Sequence, residues 1–206
     1  MKKYELTEET KVIGGKTLFR IRALRSFGGI KAGDLGGFIE NERNLSHEGN
    51  AWVGDNAQVG GDAWVGGNAQ VGGNARVGGN AKVSDNARVG GNARVDGDAR
   101  VGGYAWVGGN AWVGGDAWVG SNARVGGDGL INSNNDYLCE QGLGSRNRSA
   151  SFFKCKDGHI HVLCGCFSGN LDEFENKVKE EHGNSKYAKE YLGFIEVVKT
   201  HFEVRQ

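Results

Sequence analysis

The side chains best suited to molecular recognition stand at every sixth position in the middle of the chain. All five tryptophans of the protein and six basic residues occupy these positions, and no acidic residue does. Tryptophan and arginine are enriched at binding hot spots, and a cation placed over an indole ring is attracted to it. The positions are Trp52, Gln58, Trp64, Gln70, Arg76, Lys82, Arg88, Arg94, Arg100, Trp106, Trp112, Trp118 and Arg124.

Two interpretations of these positions remain open. The side chains either cover the protein and stabilise one another, or they form a binding surface for a protein or a nucleotide-like ligand, in which a base stacks on Trp and a phosphate meets Arg. Tyr104 belongs with them because it interrupts a row of Asn and Asp. Acidic residues between these positions make a long nucleic acid an unexpected partner. The predicted binding residues are Arg88, Arg94, Arg100, Tyr104, Trp106, Trp112, Trp118 and Arg124.

Cysteine and histidine are concentrated towards the C-terminus. Cys166, with His182 as its base, is a candidate for nucleophilic catalysis. His159 and His161 share one face of a predicted strand, and Cys164 and Cys166 share the other. The two thiols are therefore predicted to be small core residues, and neither a metal site nor a cofactor is expected.

The repeat defines the element that carries the tryptophans and arginines. From residue 51 to residue 128 the chain reads A-x-V followed by three residues such as G-G-N, without an insertion. A-x-V is a very short strand whose Ala and Val point to one side and x to the other. Glycine supplies 37 of the 206 residues and proline none, which excludes collagen and suits corners with positive φ. Alternating strands and corners predict a solenoid.

The repeat V-G-G-N-A-R and its variants resemble the hexapeptide repeat of left-handed parallel β-helix proteins. The resemblance implies a mainly β fold in which three hexapeptides form one triangular coil, with about four to six coils in all. It also implies three outward faces. The first face holds Trp52, Gln70, Arg88, Trp106 and Arg124, the second Gln58, Arg76, Arg94 and Trp112, and the third Trp64, Lys82, Arg100 and Trp118.

Neighbours on one face should lie about 4.8 Å apart. This spacing predicts three cation–π stacks between neighbouring strands, each with a possible contribution of about 0.5–1 kcal/mol at an exposed site. The predicted pairs are Arg88 with Trp106, Arg94 with Trp112, and Arg100 with Trp118.

The resemblance also implies one enzymatic alternative, because proteins with this fold are best known as acyltransferases that use acyl-CoA or acyl carrier protein. Such enzymes carry a histidine base, often near a loop that protrudes from a coil. Residues 51–128 contain neither a histidine nor an insertion, which leaves His47, at an inward position of the first coil, as the candidate base. A non-enzymatic protein, with His47 closing the stack of coils, is favoured.

The flanking segments predict two smaller units beside the repeat. We assign residues 1–32 to an N-terminal β-hairpin cap, residues 33–134 to the β-helix and residues 135–206 to a C-terminal α+β module. The hairpin should turn at Gly14-Gly15. Predicted elements of the module are strands 150–156 and 159–166, a helix N-capped by Asn170 with Glu173 and ended by Gly183, and a second helix at 185–202.

Both flanks resemble segments of small proteins from bacteriophage and prophage genomes. The stretches that carry the resemblance are ELTEETKVIGGKTLFRIRAL with AGDLGGFIENERNLS, and GCFSGNLDEFENKVKEEHGNSKYAKEYLGFIEVVK. They imply a phage-type binding or assembly protein that engages a host protein or a nucleotide-like ligand, with a structural phage component as an alternative. A homo-oligomer, either a trimer or a dimer, is expected because related β-helices pack through flat faces.

Charge and hydropathy add three expectations. The formal net charge is +0, which gives no general attraction to anionic membranes. The sequence lacks a long apolar run and an apolar leader segment, so we expect neither a membrane partner nor a signal peptide. Four cysteines without such a leader favour the cytoplasm, which would be that of the host cell if a phage encodes the protein.

Overall fold

The N-terminal segment forms a β-hairpin that runs into the repeat. In the computed structural model, which describes residues 2–144 and 146–204, the hairpin turns at Gly14-Gly15, where both residues have positive φ, as predicted. Its second strand pairs antiparallel with a third strand, which leads into the first coil. The strands are β1 (Tyr4–Ile13), β2 (Lys16–Ala23) and β3 (Leu35–Ile39).

Each following repeat supplies a strand of two residues, the outward residue and the valine after it. The strands are β4 (Trp52–Val53), β5 (Gln58–Val59), β6 (Trp64–Val65), β7 (Gln70–Val71), β8 (Arg76–Val77), β9 (Lys82–Val83), β10 (Arg88–Val89), β11 (Arg94–Val95), β12 (Arg100–Val101), β13 (Trp106–Val107), β14 (Trp112–Val113), β15 (Trp118–Val119), β16 (Arg124–Val125) and β17 (Leu130–Ile131). All of their pairings with one another are parallel, and they join every third strand.

Three sheets result, one for each side of a parallel β-solenoid of about five coils. This confirms the predicted mainly β fold and the predicted coil of three repeats. The first face is the sheet β16-β13-β10-β7-β4, and the third face is β15-β12-β9-β6. The second face is larger because the hairpin extends it, in the order β1-β2-β3-β5-β8-β11-β14-β17.

The interior of the solenoid is made of alanine and valine. From Ala51 to Val125 every Ala and Val of the repeat is at most 2% exposed. Burial of one valine side chain contributes about 1.5 kcal/mol or more, but a single coil cannot enclose these side chains by itself. The coils therefore stabilise one another by stacking.

The corners have the positive φ that the glycine content predicts. Positive φ falls on the second corner residue, which is usually glycine, as at Gly91 with φ +62°, and occasionally Asp or Ser. The Asn at the third position does not adopt this conformation but joins a row of side-chain amides, as in the donation from Asn74 Nδ2 to Asn92 Oδ1 at 3.2 Å. Asn92 donates onward to Asn110 at 3.1 Å.

The hairpin closes the open end of the first coil, as predicted. The fully buried Lys3 donates from Nζ to the carbonyl of Ala51 at 2.8 Å, and the Tyr4 hydroxyl donates to the carbonyl of Leu45 at 2.7 Å. Burial, with the nearby charge of Arg25, lowers the pKa of Lys3 to about 8. These donors satisfy edge carbonyls that would otherwise invite another chain.

The C-terminal module is an antiparallel four-stranded sheet covered by two helices. The predicted capping box between Asn170 and Glu173 is present, and the first helix ends at Gly183. No helix within the described ranges has the length and apolarity needed to cross a membrane. The elements are β18 (Tyr137–Leu143), β19 (Arg148–Lys154), β20 (Ile160–Cys164), β21 (Phe167–Asn170), α1 (Leu171–His182) and α2 (Lys186–His201). The outer strands β18 and β21 were not predicted.

Strand β19 joins the module to the solenoid because its two faces serve different cores. Phe153 and Cys155 belong to the core of the solenoid, whereas Phe152 lies in the core beneath the helices. The Ser151 hydroxyl also accepts a hydrogen bond from the backbone N–H of Arg124, at 2.8 Å. The module is thereby placed against the last coil.

Candidate functional site

The predicted binding residues lie on the three faces to which the repeat assigned them. Arg88 pairs with Trp106 on the first face, and Arg94 pairs with Trp112 on the second. Arg100 pairs with Trp118 on the third face. The structure therefore brings each predicted arginine next to its predicted tryptophan along the backbone.

The three predicted cation–π stacks do not form within the described part of the chain, and this corrects the sequence analysis. The contact that does form joins Arg124 to Trp106, with the guanidinium carbon 5.5 Å from the ring centre. The indoles fold instead across the glycine two residues further on, so that a methyl group at Gly108 would lie 2.2 Å from the Trp106 ring. The Trp112 ring also lies beside the glycine two residues further on, and its Nε1 donates to Asp96 Oδ1 at 2.8 Å.

The tryptophans differ widely in exposure. Trp52 is 4% exposed, and Phe27 of the N-terminal segment packs edge-on against its ring at 5.5 Å. Trp112 and Trp64 are 37% and 38% exposed, and Trp118 is 59% exposed. Exposure is thus greatest on the third face, to which neither the hairpin nor the module adds a strand.

A cleft extends the third face towards the module. It has a volume of about 460 Å³, and its lining includes Trp118, Tyr137, Cys139 and His201. The Tyr137 hydroxyl donates to the carbonyl of Trp118 at 2.6 Å, and burial raises the pKa of Tyr137. The Trp118 ring therefore stands between a flat sheet and a partly apolar depression.

Tyr104 borders the same face. Its side chain is 69% exposed, and its backbone N–H donates at 2.7 Å to the carbonyl of Ser121, at the corner that follows Trp118. Tyr104 therefore adds an exposed aromatic ring to the edge of the third face.

The second face carries a groove beside the hairpin. Ile13 and Leu18 of the hairpin form one wall, and Arg76 and Arg94 of adjacent coils line the floor, in a volume of about 480 Å³. Lys16 and the carboxylates of Asp62 and Asp96 complete the charged lining. Arg76 and Arg94 are direct neighbours in the sheet. Sequence analysis did not select Arg76, because its role depends on the hairpin that lies beside it.

His47 lies under the N-terminal hairpin. Its ring stacks on Tyr4 with centroids 4.4 Å apart, and its Nδ1 accepts a hydrogen bond from the backbone N–H of Lys3 at 3.1 Å. Nε2 is buried, 3.8 Å from Glu42 Oε2. A base must reach the proton that it removes, so this location does not favour a role in acyl transfer.

Cys166 and His182 line one small cleft of about 260 Å³ between β20, β21 and the helices. No hydrogen bond joins them among the described residues, and the His182 ring is stacked on Tyr191 at 5.6 Å. The neighbouring Cys164 is half-buried, and burial raises its pKa. An activated nucleophile requires a base within hydrogen-bond reach, which this arrangement does not provide.

A third cluster brings together Cys155, His159 and His161 at the turn between β19 and β20. One potential ligand atom of each lies within 4.8 Å of the other two. Burial, with Asp157 and Asp128 nearby, raises the pKa of Cys155 to about 11, and burial lowers the pKa of His161.

The sequence-based prediction weighed the two histidines only against Cys164 and Cys166, placed them on opposite faces of the strand, and did not consider Cys155. As expected, Cys164 packs against the core beneath the helices. The same prediction is wrong for Cys166, which lies at the turn after β20 and is exposed. The signal available in the sequence is C-x-x-x-H-x-H, which crosses a tight hairpin turn.

Comparisons with known proteins do not assign these sites. No protein-family model matches the chain, and no curated protein is similar to it.

Proposed function

We propose that this is a non-enzymatic binding and assembly protein, in which the solenoid is a rigid scaffold and the third face binds a second copy of the chain. The observation that carries the proposal is the exposed Trp118, on a sheet to which the described parts of the hairpin and the module add no strand. Large exposed aromatic groups on a flat surface are typical of protein interfaces. The resemblance of both flanks to phage proteins supports a phage-type protein, for which a host protein is a further partner.

Charge on the third face suits self-association. Lys82 and Arg100 occupy the middle of the face between Trp64 and Trp118. Asp98 and Asp116 stand on one bordering corner, and both are exposed. A symmetric partner placed antiparallel can set its acidic edge against these basic residues, because such an interface is self-complementary.

Replacement of Trp118 by serine tests this proposal. The wild type should sediment as a dimer, and Trp118→Ser should sediment as a monomer of 22.0 kDa, because an interfacial tryptophan typically contributes about 2 kcal/mol or more to association. Trp112→Ser is the matched control, since Trp112 is also exposed but lies on the second face. Circular dichroism of both variants verifies folding.

Three results would contradict the interface. They are a monomeric wild type at tens of micromolar, an unchanged mass for Trp118→Ser, and dissociation of the Trp112→Ser control alone. An open-ended assembly of wild-type chains would instead identify a structural phage component.

The groove on the second face favours a second ligand class, an anionic nucleotide-like molecule. Two neighbouring guanidinium groups suit a phosphate, and Ile13 and Leu18 offer an apolar wall to a base.

We expect saturable binding of ATP or GTP in calorimetric titrations. Arg76→Gln and Arg94→Gln should each weaken this binding roughly tenfold. Arg88→Gln, on the first face, should leave it unchanged. Absence of saturable binding, or an equal loss in the control, would rule out this ligand class for the groove.

A further inference from the structure

The turn between β19 and β20 places three metal-binding side chains on one face of a hairpin. The backbone N–H of Cys155 donates to the carbonyl of His159 at 2.9 Å, so these residues lie opposite each other where the hairpin closes. His161 pairs with Phe153 two positions further along. The strand alternation therefore turns Cys155, His159 and His161 to the side of the sheet that faces the solenoid.

Each of the two imidazole rings has a hydrogen-bond partner on one of its nitrogens. Asp157 Oδ1 lies 2.5 Å from Nδ1 of His159, which leaves Nε2 as the nitrogen available to a metal. Ser168 Oγ lies 2.9 Å from Nε2 of His161, which leaves Nδ1. A carboxylate or hydroxyl on the far nitrogen is the usual partner of a metal-binding histidine, because it fixes the ring and its tautomer.

The donor set selects the metal. One thiolate with two imidazoles suits Zn²⁺, whose bonds to sulfur and nitrogen are about 2.0–2.3 Å long in tetrahedral geometry. Such bonds place ligand atoms about 3.6 Å apart. The three candidate ligand atoms, now within 4.8 Å of one another, need to converge by about 1 Å. Small changes in the side-chain torsions of His159 can supply this shift, and Asp157 can follow its ring because both side chains are exposed at the turn.

We propose that Cys155, His159 and His161 bind one Zn²⁺ ion per chain, with water in the fourth position. Three protein ligands with an open fourth position are characteristic of zinc sites that keep an exchangeable ligand. His159 and His161 also line a cleft of about 670 Å³, together with Asn170 and Glu173, so a small molecule can reach the ion. The thiol proton of Cys155 passes to solvent when the ion binds.

The position of Cys155 gives the ion a mechanical role as well. Cys155 is part of the solenoid core, and its backbone forms a bridge to Gly129 after the last complete repeat. His161 lies on β20 of the module. All three ligands belong to the module, so the bound ion would fix the turn between β19 and β20 at the point where its backbone meets the end of the solenoid.

Metal titration of the full chain, after removal of metals with a chelator, tests the proposal. We expect one Zn²⁺ per chain, and with Co²⁺ as a spectroscopic probe a thiolate-to-cobalt charge-transfer band. Cys155→Ser should abolish the band, and His159→Gln should weaken Zn²⁺ binding by more than about 100-fold. Asp157→Asn, which alters only the orienting carboxylate, should weaken it by about 10–100-fold.

Cys166→Ser and His182→Gln are the matched thiol and imidazole controls, and both should bind Zn²⁺ like the wild type. His159→Gln changes an exposed side chain, so it remains informative if Cys155→Ser does not fold. The proposal is overturned if the wild type binds no Zn²⁺, if the charge-transfer band survives in Cys155→Ser, or if the controls lose binding while the His159 variant keeps it.

Discussion

Phe153→Ala is expected to destabilise the protein by about 3–5 kcal/mol, because it opens a cavity between the module and the last coil. The Phe153 side chain is fully buried. It packs so closely on the chain that a methyl group at Gly129 would lie 3.0 Å from its ring. Its loss removes the largest side chain that β19 contributes to the solenoid core.

The preceding residue provides a matched comparison. Phe152 is also fully buried, but its ring contacts Phe174 at 5.9 Å and Phe194 at 5.5 Å, on the opposite side of β19. Phe152→Ala should cost a similar free energy. The lost stability should affect the packing of the module's helices, and the end of the solenoid should keep its stability.

Two spectroscopic signals separate these effects. All five tryptophans lie in the solenoid, so indole fluorescence follows its unfolding, whereas far-ultraviolet circular dichroism follows α1 and α2. Phe152→Ala should lower the denaturant midpoint of the helical signal alone, and Phe153→Ala should lower both midpoints. Equal shifts of both signals in both variants would show a single cooperative unit and contradict the division of β19 between two cores.

Gly91→Ala should destabilise the solenoid by about 2 kcal/mol or more. Gly91 has φ +62°, a conformation that costs a residue with a Cβ atom about 1–2 kcal/mol. The added methyl group would also lie 2.9 Å from the carbonyl oxygen of Gly109 in the next coil. Because every corner stacks on the next one, the backbone cannot move aside locally.

Gly90→Ala is the control, since a methyl group there meets no atom within 4 Å. It should be neutral or slightly stabilising, by up to about 1 kcal/mol, because alanine restricts the unfolded chain. Gly91→Asp should cost less than Gly91→Ala, as aspartate already holds this conformation at Asp85, whose Oδ2 accepts from the N–H of Gly103 at 2.9 Å. Fluorescence-monitored denaturation measures all three variants, and equal losses for Gly90→Ala and Gly91→Ala would refute the argument from φ.

The solenoid was predictable from sequence because one physical requirement recurs in every repeat. Ala and Val must be buried, a corner must follow, and the alternation of a strand then turns the residue between Ala and Val outward. The neighbours on each face follow from this periodicity, as the pairing of Arg88 with Trp106 confirms. The hairpin turn at Gly14-Gly15 was predictable for a similar reason.

Side-chain conformations and the outer strands of the module depend on information that no short pattern contains. The Trp106 ring folds over Gly108 because that glycine leaves space beside it, and this prevents a stack on Arg88. The strand β21 is only four residues long and reads FSGN, without an apolar alternation. The Cys155 cluster depends on which residues close a hairpin turn, and this is fixed by the register of β19 with β20.

The repetition of the coils also has a kinetic and an evolutionary consequence. Each solenoid strand pairs with one that lies eighteen residues away, so contact order within the solenoid is low and folding can propagate from coil to coil. A slip by one whole coil preserves every Ala and Val of the interior and loses few specific contacts, such as that of Trp112 with Asp96. The N-terminal hairpin and the C-terminal module differ from the coils, so their contacts fix the register of the first and last coils. Gene duplication or deletion can change the length of the solenoid in whole coils.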